Sequence, residues 1–121
     1  MDRNESKILI VEDEIIVAME MESLLQSNGF SVVGKAHSSE KAVDTAIAYK
    51  PNIILMDINI KGEFDGIDTC KKILNHLNAK IIFVSAYNDE ETHIRIDAIQ
   101  PHYFLPKPYS EKELIDIISS I

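Results

Sequence analysis

A single cysteine, Cys70, rules out an intrachain disulfide and a thiolate metal cluster. Cys70 shares an apolar helical stripe with Ile67, Ile73 and Leu74, which reads as a small buried hydrophobe. No apolar run approaches the ~18 residues of a membrane span. Nor does one follow Met1-Asp2-Arg3-Asn4-Glu5 at the length of a signal-peptide core, so the expectation is a cytoplasmic protein with no membrane partner. Positive charge is scarce as well. Lys and Arg number 12 against 20 Asp and Glu, and the net charge of −8 argues against direct nucleic-acid binding. A cation or a basic protein surface stays open as a partner. There is no internal repeat, low-complexity tract or Pro/Gly-rich linker, and 121 residues suit one domain over 1–121 with an ordered core from about 7 to 120.

What the chain does have is alternation. Short apolar runs rich in β-branched residues occur at Ile8–Val11, Ile53–Met56, Ile81–Val84 and Tyr103–Leu105, as expected of strands covered on both faces. Phe30–Val33 alternates less cleanly and suits an outer strand. Between them lie helical stretches. Residues 14–28 place Ala18, Met21, Leu24 and Leu25 on one face, with a stop at Asn28-Gly29. Residues 39–49 follow Ser38 as N-cap, and 66–77 carry Ile67, Ile73, Leu74 and Leu77. The last helix opens on a capping box, Ser110 with Glu113. In the helix near 89–99, Ile94, Ile96 and Ile99 cannot all face one core; either part of it is an exposed partner surface or it is buried on two sides. The order is (βα) five times, which predicts an α/β, flavodoxin-like doubly wound sandwich on a parallel five-stranded sheet of order 2-1-3-4-5.

In that topology the polar residues beyond the strand ends, at the switch point between strands 1 and 3, carry the function. Strand 1 runs into Glu12-Asp13-Glu14 and strand 3 into Asp57. Glu12, Asp13 and Asp57 therefore converge, and carboxylates so close resist ionisation unless a cation joins them. Oxygen ligands favour Mg²⁺ or Mn²⁺. The competing reading is that these acids serve the N-terminus of the next helix, and for Glu14 that reading is preferred. Strand 4 ends at Ser85-Ala86 and strand 5 at Lys107-Pro108. A hydroxyl, an ammonium and a metal-bound carboxylate cluster can surround a phosphoryl group, with Asp57 as the nucleophile that forms an acyl phosphate.

Ile-Val-Glu12-Asp13-Glu, Ile-Ile-Leu-Met-Asp57-Ile-Asn59 with Asp65-Gly66, Val-Ser85-Ala86 and Phe104-Leu-Pro-Lys107-Pro108 together resemble the receiver domain of two-component response regulators (the CheY-like superfamily), over essentially the whole chain. The resemblance implies that Asp57 is the phospho-acceptor and that Asp13 and Asp57 ligate Mg²⁺ (or Mn²⁺) directly. Glu12 would act through water and Asn59 through its main-chain carbonyl. It further implies that Ser85 binds a phosphoryl oxygen and serves as a switch residue, and that Lys107 bridges to the phosphoryl group ahead of a cis bond at Pro108. Phe104 matches an aromatic that changes rotamer in the family; its plainer reading is a core residue of strand 5. The implied partners are a sensor histidine kinase or phosphotransfer domain and a downstream protein or fused output domain. A face of helix 4, strand 5 and helix 5 would also allow pairing of two copies. Catalysis would be limited to self-phosphorylation from phosphodonors and slow self-dephosphorylation.

Two segments depart from the family pattern. The loop Asn59–Gly66 lacks a proline often found there and is one residue longer, and Gln100-Pro101-His102-Tyr103 replaces a small Gly-Ala pair. Three rivals remain. An aspartyl-nucleophile phosphatase of the haloacid-dehalogenase type needs a second acid where Asn59 stands. A flavodoxin-like electron carrier would find Glu12-Asp13-Glu14 repelling the FMN phosphate. A docking module independent of phosphorylation leaves the full acid, hydroxyl and lysine set without a purpose. The sequence stops at the fifth helix, so no output segment is expected within it.

Overall fold

The computed structural model describes residues 2–86 and 89–121. After a 3₁₀ turn at Arg3–Glu5, the elements are β1 (Ile8–Val11), α1 (Ile15–Ser27), β2 (Val32–Ala36), α2 (Ser39–Tyr49), β3 (Ile53–Asp57) and α3 (Gly66–Leu74). They continue as β4 (Lys80–Ser85), α4 (Glu90–Asp97), β5 (His102–Pro106) and α5 (Glu111–Ser119). The five strands form one parallel sheet in the order β2-β1-β3-β4-β5, as the alternation predicts.

Alternate residues of each central strand point to opposite faces. Ile8, Ile10, Ile53, Leu55, Ile82 and Val84 join Ala18 and Leu25 of α1 and Leu114 and Ile118 of α5 on one side. Leu9, Val11, Ile54, Met56, Ile81 and Phe83 join α2, α3 and Ile96 on the other. Cys70 is fully buried in this second layer, and burial raises its thiol pKa far above the ordinary value. Among the described residues no helix is long and apolar enough to cross a membrane.

Several boundaries differ from expectation. The outer strand lies two residues later than Phe30–Val33, because Phe30 plugs the core below α1 and Gly34-Lys35 continue the strand. Gly34 is required there: a Cβ would come within 2.8 Å of Thr45 Cγ2 on α2. Helix α3 stops at Leu74, three residues early, although Leu77 still packs on the core. Glu14 occupies the N-cap position of α1, yet its side chain makes no capping hydrogen bond. Ser38 does cap α2, accepting from the Lys41 N–H, and Ser110 with Glu113 forms the expected box at α5. On α4 the isoleucines divide: Ile96 is buried, Ile99 just beyond the helix is buried too, and Ile94 is 64% exposed.

Candidate functional site

The switch between β1 and β3 brings Glu12, Asp13 and Asp57 to one rim, where a carboxylate oxygen of each lies within 4.8 Å of the others. Asp57 closes β3 and is buried, as is Glu12 immediately after β1, whereas Asp13 is half-buried. The β3 end is fixed by its neighbours: the Ile58 N–H donates to the Val84 carbonyl at 3.2 Å and the Gly66 N–H to the Ile58 carbonyl at 2.8 Å. Gly66 has no alternative, because a Cβ would overlap the main-chain oxygen of Asp57.

Two groups already hold the Asp57 carboxylate. The Asn59 N–H donates to Oδ1 at 3.0 Å, and Lys107 Nζ donates to Oδ2 at 3.2 Å. Lys107 Nζ also lies 3.8 Å from Glu12 Oε1. It reaches both from the end of β5, anchored by its own N–H on the Ser85 carbonyl at 2.9 Å. The Lys107–Pro108 peptide is cis, and so is Gln100–Pro101, which the sequence reading did not expect. Burial alone would lower the Lys107 pKa, but the facing Asp57 and Glu12 carboxylates raise it overall. Lys107 is therefore a firm cation.

Glu12 responds in the opposite sense. Burial, then a side-chain hydrogen bond and charge repulsion from Asp57, push its carboxyl up to about 8. Among the described residues its Oε2 is buried without a hydrogen-bond partner. An orphaned buried oxygen beside two further carboxylates is an incomplete electrostatic arrangement. A hard divalent cation with water in its shell fits that all-oxygen donor set.

These residues open on a cleft of about 270 Å³ whose lining includes Asp13, Asp57, Asn59, Ser85 and Lys107. Ser85 is buried at the end of β4, next to exposed Ala86. Phe104 lies outside the cleft, packed on the α2/α3 layer, with the His93 ring of α4 edge-on at 5.0 Å. The sequence reading missed two neighbours. His37 Nδ1 donates to the Glu12 main-chain carbonyl at 2.9 Å, and Tyr109 lies half-buried beside Lys107 and Glu12, its phenol pKa raised by burial. His37 follows the end of β2, so placing that strand correctly would have put it on the same rim.

A family model described as "Response regulator receiver domain" matches residues 8–119. The chain is 34% identical over 116 residues to the chemotaxis protein CheY of Bacillus subtilis, covering 93% of this chain and 94% of that one. It is 30% identical over 112 residues to the transcriptional regulatory protein PdtaR of Mycobacterium tuberculosis, covering 93% of this chain and 54% of PdtaR. The chain thus spans about half the length of that curated relative. Among solved structures, the signal receiver domain of a modulated diguanylate cyclase from Desulfovibrio desulfuricans superposes with a TM-score of 0.86 at 33% identity. The match covers 95% of this chain and 91% of that one. The PhyR receiver domain of Erythrobacter litoralis gives 0.82 at 31% identity, covering 95% and 88%.

Proposed function

The chain belongs to the response-regulator receiver domain family, and from that premise we propose that it is a phosphoacceptor switch in which Asp57 takes a phosphoryl group from a histidine kinase or phosphotransfer domain. One observation carries the reading: a buried aspartate at the end of β3 sits 3.2 Å from the ammonium of Lys107 and beside the partnerless oxygen of Glu12.

A carboxylate oxygen of Asp57 attacks the phosphorus of a phosphohistidine. The new P–O bond forms as the P–N bond breaks, and the imidazole nitrogen leaves with the bonding pair. Asp13 and Asp57 would hold Mg²⁺ (or Mn²⁺) directly, Glu12 through water and Asn59 through its main-chain carbonyl. The bound cation supplies neutralisation of the negative charge on the transferring group. Lys107 follows the charge from the carboxylate to the phosphoryl oxygens, and the Ser85 hydroxyl donates to one of them. Water later attacks phosphorus, the P–O bond to Asp57 breaks, and inorganic phosphate leaves.

The readout is a change at α4, β5 and α5, with Phe104 altering its rotamer against His93 as Ser85 is drawn in. A downstream protein or a fused output domain reads that face. Incubation with acetyl phosphate and Mg²⁺ tests the core of the reading, and wild type is expected to gain one phosphoryl group that Asp57→Asn does not. Equal labelling of the two proteins would reject Asp57 as the acceptor.

A further inference from the structure

The loop from Ile58 to Asp65 carries Asn59 and contains no proline, so nothing in its covalent backbone stiffens it. Its ends are tied by the Asn59 N–H on Asp57 and the Gly66 N–H on the Ile58 carbonyl, and its middle is ordered by α2. The Ser39 N–H, one of the donors that a helix start leaves unused, donates to the Lys61 carbonyl at 2.9 Å. Glu40 Oε1 accepts from the Glu63 N–H at 3.0 Å, and Ser39 Oγ accepts from the Phe64 N–H at 3.4 Å. Ser39 Oγ in turn donates to Glu40 Oε2 at 3.0 Å, locking the two side chains together. Ser39 is buried, and Gly62, at φ +119°, passes so close that a Cβ would overlap Ser39 Oγ. Backbone groups on three loop residues thus depend on the first turn of one helix.

We propose that Ser39 and Glu40 are positioning residues for divalent-cation binding: through the 61–64 backbone they hold Asn59 at the rim of the carboxylate cleft. The inference rests on the cation reading given under Proposed function. A loop free to sample many conformations would lose entropy each time it presented a carbonyl to the ion. The clip from α2 removes that loss before the ion arrives. Glu40 is exposed and distant in sequence, and it acts through the Glu63 amide and through the hydrogen bond it accepts from Ser39 Oγ.

The test is a Mg²⁺ titration of the full chain followed by amide NMR, with hydrogen exchange of the Glu63 and Phe64 amides in Mg²⁺-free buffer. Glu40→Ala and Ser39→Ala are expected to weaken Mg²⁺ binding roughly tenfold, as when the support behind a metal ligand is lost. Both should also lose protection at the Glu63 amide without metal. Glu40→Gln removes the same charge but keeps an oxygen that accepts from Glu63, so it should bind within about twofold of wild type. Wild-type affinity in Glu40→Ala, or equal weakening in Glu40→Gln and Glu40→Ala, overturns the inference. Wild-type protein that takes up no Mg²⁺ overturns the cation reading itself, and the inference with it.

Discussion

At Gly66, α3 and β3 approach more closely than a methyl group allows, since a Cβ there would overlap the Asp57 main-chain oxygen. Gly66→Ala must therefore push either the helix or the strand end, and overpacking of this kind costs about 1–3 kcal/mol. Urea denaturation should show that loss, and acetyl-phosphate labelling of Asp57 should slow with it; unchanged values in both would mean the loop absorbs the methyl group without moving the acceptor. The importance of this glycine was visible in the sequence only as the closing Asp65-Gly66 of a motif. Glu12, Asp13, Asp57, Ser85 and Lys107 stand out more readily, because each ends, or lies within two residues of, a strand recognisable by its apolar run. His37, Ser39 and Glu40 act through partners 22 to 25 positions away, such as Glu63 for Glu40, and no local pattern signals such a pairing.

Among the elements, α4 shows most clearly what depends on long-range pairing. Arg95 grips Asp65, the N-cap of α3, with Nη1 at 2.8 Å from Oδ2 and Nη2 at 3.0 Å from Oδ1, and Nη2 reaches Asp68 at 3.4 Å. Burial alone would raise the Asp65 pKa, but the guanidinium and the Asp68 N–H outweigh it and hold the carboxyl below its ordinary 3.8. A carboxylate lowered on folding stabilises the fold above its unfolded pKa, and that contribution fades as pH falls through the folded value. Arg95→Ala should cost about 1 kcal/mol near neutrality, a modest figure because the pair is about a third exposed and screened. The difference from wild type should shrink in urea titrations taken below pH ~4. A cost that stays constant with acidity would assign the effect to lost packing rather than to the ion pair. Elsewhere the differences lie at edges: β2 begins two residues later than Phe30–Val33 suggests, because an edge strand lacks the continuous apolar run of β1 or β3.

Taken whole, the molecule joins two apolar layers through a sheet whose functional rim gathers negative charge in a chain of net charge −8. Any salt should relieve the general repulsion, but Mg²⁺ should also fill the carboxylate cleft. The thermal midpoint should therefore rise more in millimolar Mg²⁺ than in NaCl of equal ionic strength, and Asp13→Asn should abolish the excess. Identical midpoints in the two salts would remove the cleft from the explanation. The (βα) order and sheet topology were readable because parallel strands buried on both faces leave unmistakable apolar runs. The helix lengths were less so, since α3 ends without a glycine to mark the stop. How firmly each helix is moored also escapes the sequence. Among the described residues, α1 sends Ala18, Met21 and Leu25 into the interior and α5 sends Leu114 and Ile118, whereas α4 sends Ile96 alone. Withdrawing one such side chain costs about 1.5–3 kcal/mol. That is more than a screened surface ion pair contributes, but within the ~4 kcal/mol between unit charges about 4 Å apart at an effective dielectric of about 20. Under the proposed phosphoryl transfer, the helix with the shallowest root is therefore the one expected to reseat, leaving the sheet beneath it intact.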